Sequence, residues 1–181
     1  MKKSFFTLIF GAILIANAHT SNLQKNGSNS YYKAIASVIF FGSDEIIGIN
    51  KENSGFIDIE NGIVKNGQIT INATSFDTQN KKRDKHIVEL LNAKTHSKIV
   101  FDILSQQEQN GQIYLNGNLS INGVLKQKQI PIKLEKNNGK FIISGQILVR
   151  YDEFDIELPT IGGFIKRADE NIEIGGKFVF E

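Results

Sequence analysis

The sequence predicts an all-β protein, an antiparallel barrel with one short helix. Three observations carry that expectation. Apolar residues recur at every second position over most of the chain, Asn-Gly pairs fall between the runs, and only one segment has a helical period. Ile57 and Ile59 alternate with Asp58 and Glu60, and Ile69 and Ile71 with Thr70 and Asn72. Leu119 and Ile121 flank Ser120, and Ile130, Ile132 and Leu134 flank Pro131 and Lys133. Ile172 and Ile174 flank Glu173, and Phe178 and Phe180 flank Val179. Such alternation places one face on a core and the other in water. The pairs Asn61-Gly62, Asn66-Gly67, Asn110-Gly111, Asn122-Gly123 and Asn138-Gly139 predict tight hairpins, hence antiparallel neighbours.

The elements follow in chain order. Residues 1–18 read as a secretory signal: Lys2 and Lys3, an apolar run from Phe5 to Ile15, then Ala16-Asn17-Ala18 as an A-x-A cleavage site before His19. The run is shorter than the roughly 20 apolar residues a bilayer-spanning helix needs. Residues 19–32, rich in Asn and Ser, are expected to form a flexible leader, and 33–181 the folded domain. Val38-Ile39-Phe40-Phe41 and Ile147-Leu148-Val149 are apolar at consecutive positions, so both faces of those strands are expected to be covered, by a helix, a partner or a ligand inside a barrel. Between the strands, Asp84 is expected to cap a helix in which Ile87, Leu90 and Leu91 recur at i, i+3 and i+4 before Asn92 stops it. Many strands and one helix in this length suit a closed barrel better than a βαβ fold.

Charge narrows the function. The 181 residues carry 21 Lys+Arg and 19 Asp+Glu, a formal charge of +2. Lys2 and Lys3 are the only charged residues in 1–18, so that excess belongs to the signal and the mature chain is neutral. A neutral chain has no global field for nucleic acid or an anionic bilayer. Without cysteine, thiol catalysis, thiolate zinc sites and redox switching are excluded.

Catalytic motifs are equally scarce. There is no G-x-S-x-G elbow, P-loop or H-E-x-x-H helix. Gly162-Gly163 and Gly175-Gly176 match no phosphate loop and suit bulges or tight strand crossings. A hydrolase or isomerase would have to draw on Arg83, His86, Asp152 and Glu153, and the expectation is a protein that is not an enzyme, with no metal and no required cofactor.

Two blocks resemble a known family. One runs from Phe76-Asp77-Thr78 through Arg83-Asp84-Lys85-His86-Ile87 to Ile99-Val100-Phe101. The other is Gly117-Asn118-Leu119-Ser120-Ile121-Asn122-Gly123-Val124-Leu125-Lys126 followed by Ile130-Pro131-Ile132. Their order is similar to that of the YceI-like polyisoprenoid-binding proteins, with weaker echoes at Ser37–Gly42 and Arg150–Phe154. The chain departs from the pattern at Phe41, Ser97 and Asn122, where the family has Trp, Pro and often His.

The resemblance implies an extended, lipocalin-like antiparallel barrel of about eight strands around an apolar tunnel. It further implies a periplasmic protein that carries or sequesters a polyisoprenoid or isoprenoid quinone. Partners would be that small-molecule lipid and, transiently, an inner-membrane protein, for a monomer or homodimer that binds no nucleic acid. Parity places Ile39, Phe41, Ile57, Ile59, Ile69, Ile71, Phe101, Leu119, Ile121, Ile132, Ile172 and Ile174 inward as the tunnel lining. Arg83 or His86 could meet a polar head at the mouth, although helix capping and ion pairing also account for that block. The alternative is a barrel filled by its own side chains that acts as a non-catalytic envelope interaction or stress protein.

Overall fold

The computed structural model describes residues 18–38, 42–157, 160–161 and 166–181; the side chains of 36–44 and 158–169 are not described. The signal segment and the positions of Ile39, Phe41 and Gly162-Gly163 lie outside the described residues.

Eight strands close an antiparallel barrel: β1 (Ala18–Val38), β3 (Asn53–Glu60), β4 (Ile63–Asn72), β5 (Lys98–Gln109), β6 (Gln112–Ile121), β7 (Val124–Asn137), β8 (Lys140–Arg150) and β10 (Lys166–Phe180). Two further strands flank it, β2 (Gly42–Asn50) on β1 and β9 (Thr160–Ile161) on β10. Closure falls to β1. Its start pairs with β3 from Ala18↔Glu60 to Asn22↔Phe56, and its remainder pairs with β10 from Leu23↔Phe180 to Val38↔Lys166.

The segment 19–32, expected as a flexible leader, is therefore strand. Its alternation is written in serine instead of isoleucine, which conceals it from a hydropathy reading. Ser21, Ser28 and Ser30 are buried; Ser30 donates to Asn53 Oδ1 at 2.8 Å, and Ser28 Oγ accepts from the Val179 amide at 2.9 Å. Buried hydroxyls with partners cost little, so a polar strand can occupy this place.

Four of the five Asn-Gly pairs make the hairpins expected of them. Asn61-Gly62, Asn110-Gly111, Asn122-Gly123 and Asn138-Gly139 join consecutive strands with positive φ at both residues, the type I′ geometry. Asn66-Gly67 does not turn. It lies inside β4 beside a bulge, and a Cβ on Gly67 would sit 2.6 Å from the Phe56 carbonyl oxygen of β3. Gly175 and Gly176 mark a tight crossing: the Tyr31 ring covers the first, and the Phe178 ring and Asn29 carbonyl crowd the second.

The helix, α1 (Lys81–Leu90), begins four residues earlier than expected. Asn80 is its cap, its side chain accepting from the Lys82 and Arg83 amides at 3.1 and 3.2 Å. Asp84 instead lies in the first turn and accepts from the Thr78 amide and hydroxyl at 2.8 and 2.7 Å, tying the helix to the preceding loop. Asn92, in the left-handed region, ends the helix as expected, with Asn92 N–H→Glu89 and Ala93 N–H→Val88 bonds of Schellman type.

Inside the barrel, Ile57, Ile59, Val64, Ile103, Phe141 and Phe180 form one tightly packed end. Leu91, Phe76, Tyr151, Phe154 and Ile156 cover the other, with Ile87 and Leu90 of α1 against them. The run Ile147-Leu148-Val149 is covered on one face only: Val149 is buried, whereas Leu148 is 64% exposed.

Candidate apolar binding site

Two adjoining cavities occupy the interior and share Ile99 and Ile174. The central one encloses about 70 Å³ between β4, β5, β6, β7, β8 and β10, lined by Ile69, Ile71, Phe101, Leu115, Leu119, Ile130, Ile132, Ile143, Ile147 and Phe178. The second encloses about 20 Å³ under the helix, among Tyr32, Phe76, Ile87, Leu90, Leu91, Ile121, Val149, Tyr151, Phe154, Ile156 and Ile172. One water needs about 10–15 Å³ of such space, so the two cavities hold only a few waters and a prenyl chain enters by displacing side chains.

The wall is thinnest between β7 and β8. These strands pair only from Ile132↔Gly145 to Asn137↔Lys140. Beyond that point Val124–Pro131 pairs with β6 alone and Gln146–Arg150 with β10 alone. The resulting seam holds the 3-10 turn Asp152–Phe154. Phe154 is fully buried, and Lys128 of β7 pairs with Glu153 and stands 5.9 Å from the Phe154 ring centre. At the lower end of the seam an outer depression shares Ile132, Gly145, Gln146 and Gly176 with the central cavity.

Of the residues singled out by parity, Ile69, Ile71, Phe101, Leu119 and Ile132 line the central cavity, Ile121 and Ile172 the second, and Ile174 both. Ile57 and Ile59 also point inward but line neither, because they belong to the packed end. Ile39 and Phe41 fall outside the described residues. Arg83 is half-buried and His86 exposed, and neither lines a cavity; their helix contributes Ile87 and Leu90 instead. The carboxylates on which a hydrolase would have to draw are ion-paired: Asp152 to Arg150 at 2.8 and 2.9 Å, and Glu153 to Lys128.

Leu115, Ile143 and Phe178 were legible by the same alternation that picked out their neighbours. Tyr32 was not, because it falls in the segment whose polar composition suggested a leader. Its side chain is 3% exposed and meets Phe76 edge-on at 5.1 Å. Burial holds the Tyr32 phenol well above its ordinary pKa. Its neighbour Tyr31 points outward, its hydroxyl 2.8 Å from Gln146 Oε1 and 3.0 Å from Glu173 Oε1, with one proton to donate between them. Burial, then the Glu173 hydrogen bond, pushes that phenol up to about 12.

A closed eight-stranded antiparallel barrel with an apolar interior and a helix over one end defines a lipocalin-like protein. The YceI-like domain family matches residues 23–180, so the chain belongs to that family. The matched stretch begins within the segment taken for a leader. The chain is 28% identical to an Escherichia coli Protein YceI over 142 residues, covering 74% of this chain and 73% of that one. It is also 28% identical to a UPF0312 protein of Shewanella baltica over 133 residues, 70% of each chain. Among solved structures, Burkholderia cenocepacia BcnA superposes with a TM-score of 0.71 at 16% identity, covering 87% of this chain and 98% of BcnA. A polyisoprenoid-binding domain from Saccharophagus degradans gives 0.68 at 11% identity, covering 90% and 97%. At these identities the superpositions establish a shared barrel.

Proposed function

We propose that the protein binds a polyisoprenoid or isoprenoid-quinone chain in the two adjoining cavities and carries or sequesters it without chemical change. The observation that carries this reading is the continuous apolar lining from the helix end to the centre of the barrel. Leu115 to Ile121 of β6 alone represents roughly 20 Å of strand rise. Each methylene moved from water into such a lining contributes about 0.8 kcal/mol. That gain offsets the cost of moving aliphatic side chains aside to widen a narrow space. The Saccharophagus degradans domain, described as polyisoprenoid-binding, supports the choice of ligand class. In this reading the seam between β7 and β8 is the entrance, and the Lys128–Glu153 pair its latch.

The chain acts outside the cytoplasm. Lys2, Lys3, the apolar run and Ala16-Asn17-Ala18 support export to the periplasm, and N-terminal sequencing of the mature protein should begin at His19. For the ligand, protein purified from its own host is extracted with organic solvent and examined by mass spectrometry. A stoichiometric prenyl lipid is the expected result. Delipidated protein that gains no thermal stability from any prenyl chain would sink the reading.

A second reading is favoured by the narrowness of the cavities together with apolar residues on the outer wall. Ile47 and Ile49 are 44% and 41% exposed, and Leu148 is 64% exposed. In that case the barrel is a filled scaffold with an envelope interaction surface. Co-purification of a protein partner that Ile47→Ser and Leu148→Ser abolish, with no lipid in the extract, would favour it.

A further inference from the structure

Tyr32 is the one side chain of the cavity under the helix that the packing leaves unsatisfied. Its hydroxyl is buried and has no hydrogen-bond partner among the described residues. The ring is also held in place. A Cβ on Gly48 would come within 2.2 Å of its Cε1, and Phe76 braces it edge-on. Packed against Gly48 and Phe76, the ring has no room to swing about χ1 and carry the oxygen to solvent. The side chains that line this cavity with it are aliphatic or aromatic apart from Tyr151 and Arg150, and the Tyr32 hydroxyl is hydrogen-bonded to neither. Arg150, at the border of the same cavity, is already bound by Asp152 and Glu170. A donor without a partner in an apolar enclosure is a cost that folding alone does not explain.

We propose that the Tyr32 hydroxyl donates a hydrogen bond to a neutral oxygen, an alcohol or carbonyl, at the polar end of the bound chain, and so selects such chains over plain hydrocarbons. This rests on the reading of the barrel as a lipid-binding site. It orients the ligand with its oxygen under α1 and its hydrocarbon in the central cavity. Burial keeps the phenol protonated and able to donate.

The test compares phytanol with phytane, chains that differ by one hydroxyl, on delipidated wild type and on Tyr32→Phe. Wild type should bind phytanol about tenfold more tightly, the size of one good buried hydrogen bond. Tyr32→Phe should bind both probes with the wild-type affinity for phytane, and its Tm should be equal or higher because it loses only an unpaired group. A variant that keeps the tenfold preference overturns the proposal, as it would if the hydroxyl merely served a resident water. Wild type that binds both probes equally overturns it too, while leaving the barrel reading in place. If wild type binds neither probe, the barrel reading itself fails and this inference with it.

Discussion

Gly117 shows how closely two strands of this barrel approach. It faces inward on β6, and a Cβ there would lie 2.2 Å from the Asp102 carbonyl oxygen and 2.8 Å from the Phe101 ring. The oxygen belongs to the β5 backbone and cannot move aside without disturbing the ladder. Gly117→Ala should cost about 2 kcal/mol, seen as a fall in Tm of roughly 4–8 °C. Asp84 makes a pH-dependent contribution of the same local kind. The Thr78 hydroxyl and amide hold its carboxyl below the ordinary value of 3.8. A depressed carboxyl contributes stability above that value and loses it as the pH falls through the folded-state pKa. Asp84→Asn should therefore have a lower Tm than wild type at pH 7, with the gap narrowing as the pH falls below 3.8. An unchanged gap would mean that the charge of Asp84 has no part in holding the helix.

At the scale of elements, the seam between β7 and β8 decides how the interior is reached. The upper half of β7 shares no ladder with β8, and the Asp152–Phe154 turn fills the space with one buried ring and one ion pair. Such a plug can open without breaking the barrel's strand pairing. Lys128→Ala or Glu153→Gln should speed uptake and release of a fluorescent prenyl probe several-fold in stopped-flow mixing, with a smaller change in affinity. Rates equal to wild type in both would place the entrance elsewhere. The sequence showed the parts of this arrangement but not their relation. The barrel was legible because isoleucine, leucine and phenylalanine alternate along β3 to β8, and because Asn-Gly adopts positive φ at both positions where four hairpins need it. The latch was not, since Lys128 and Glu153 are 25 residues apart and no periodicity links them. The same limit concealed the first strand, whose inward positions are serines held by distant partners, and misplaced the cap, since Asn80 and Asp84 are both plausible caps until the helix register is known.

For the whole molecule, the barrel divides into an end built for stability and an end built to yield. The packed end has Ile57 and Phe180 fully buried and lining neither of the two cavities, so Ile57→Ala leaves a new void and should cost about 3 kcal/mol. The cavity end already contains free space. Leu119 is buried on β6 against that space, opposite Phe101 of β5 in the strand register. Leu119→Phe should fill the central cavity with little loss of Tm, because the added carbons enter volume that no side chain occupies. The same substitution removes the room into which a prenyl chain would expand, so delipidated Leu119→Phe should lose most of its thermal shift with phytanol. Ligand binding at full wild-type affinity in this variant would put the lipid outside the barrel. A large drop in Tm without ligand would instead show that the interior is as rigid as its packed end, which is incompatible with a barrel that opens to admit a chain.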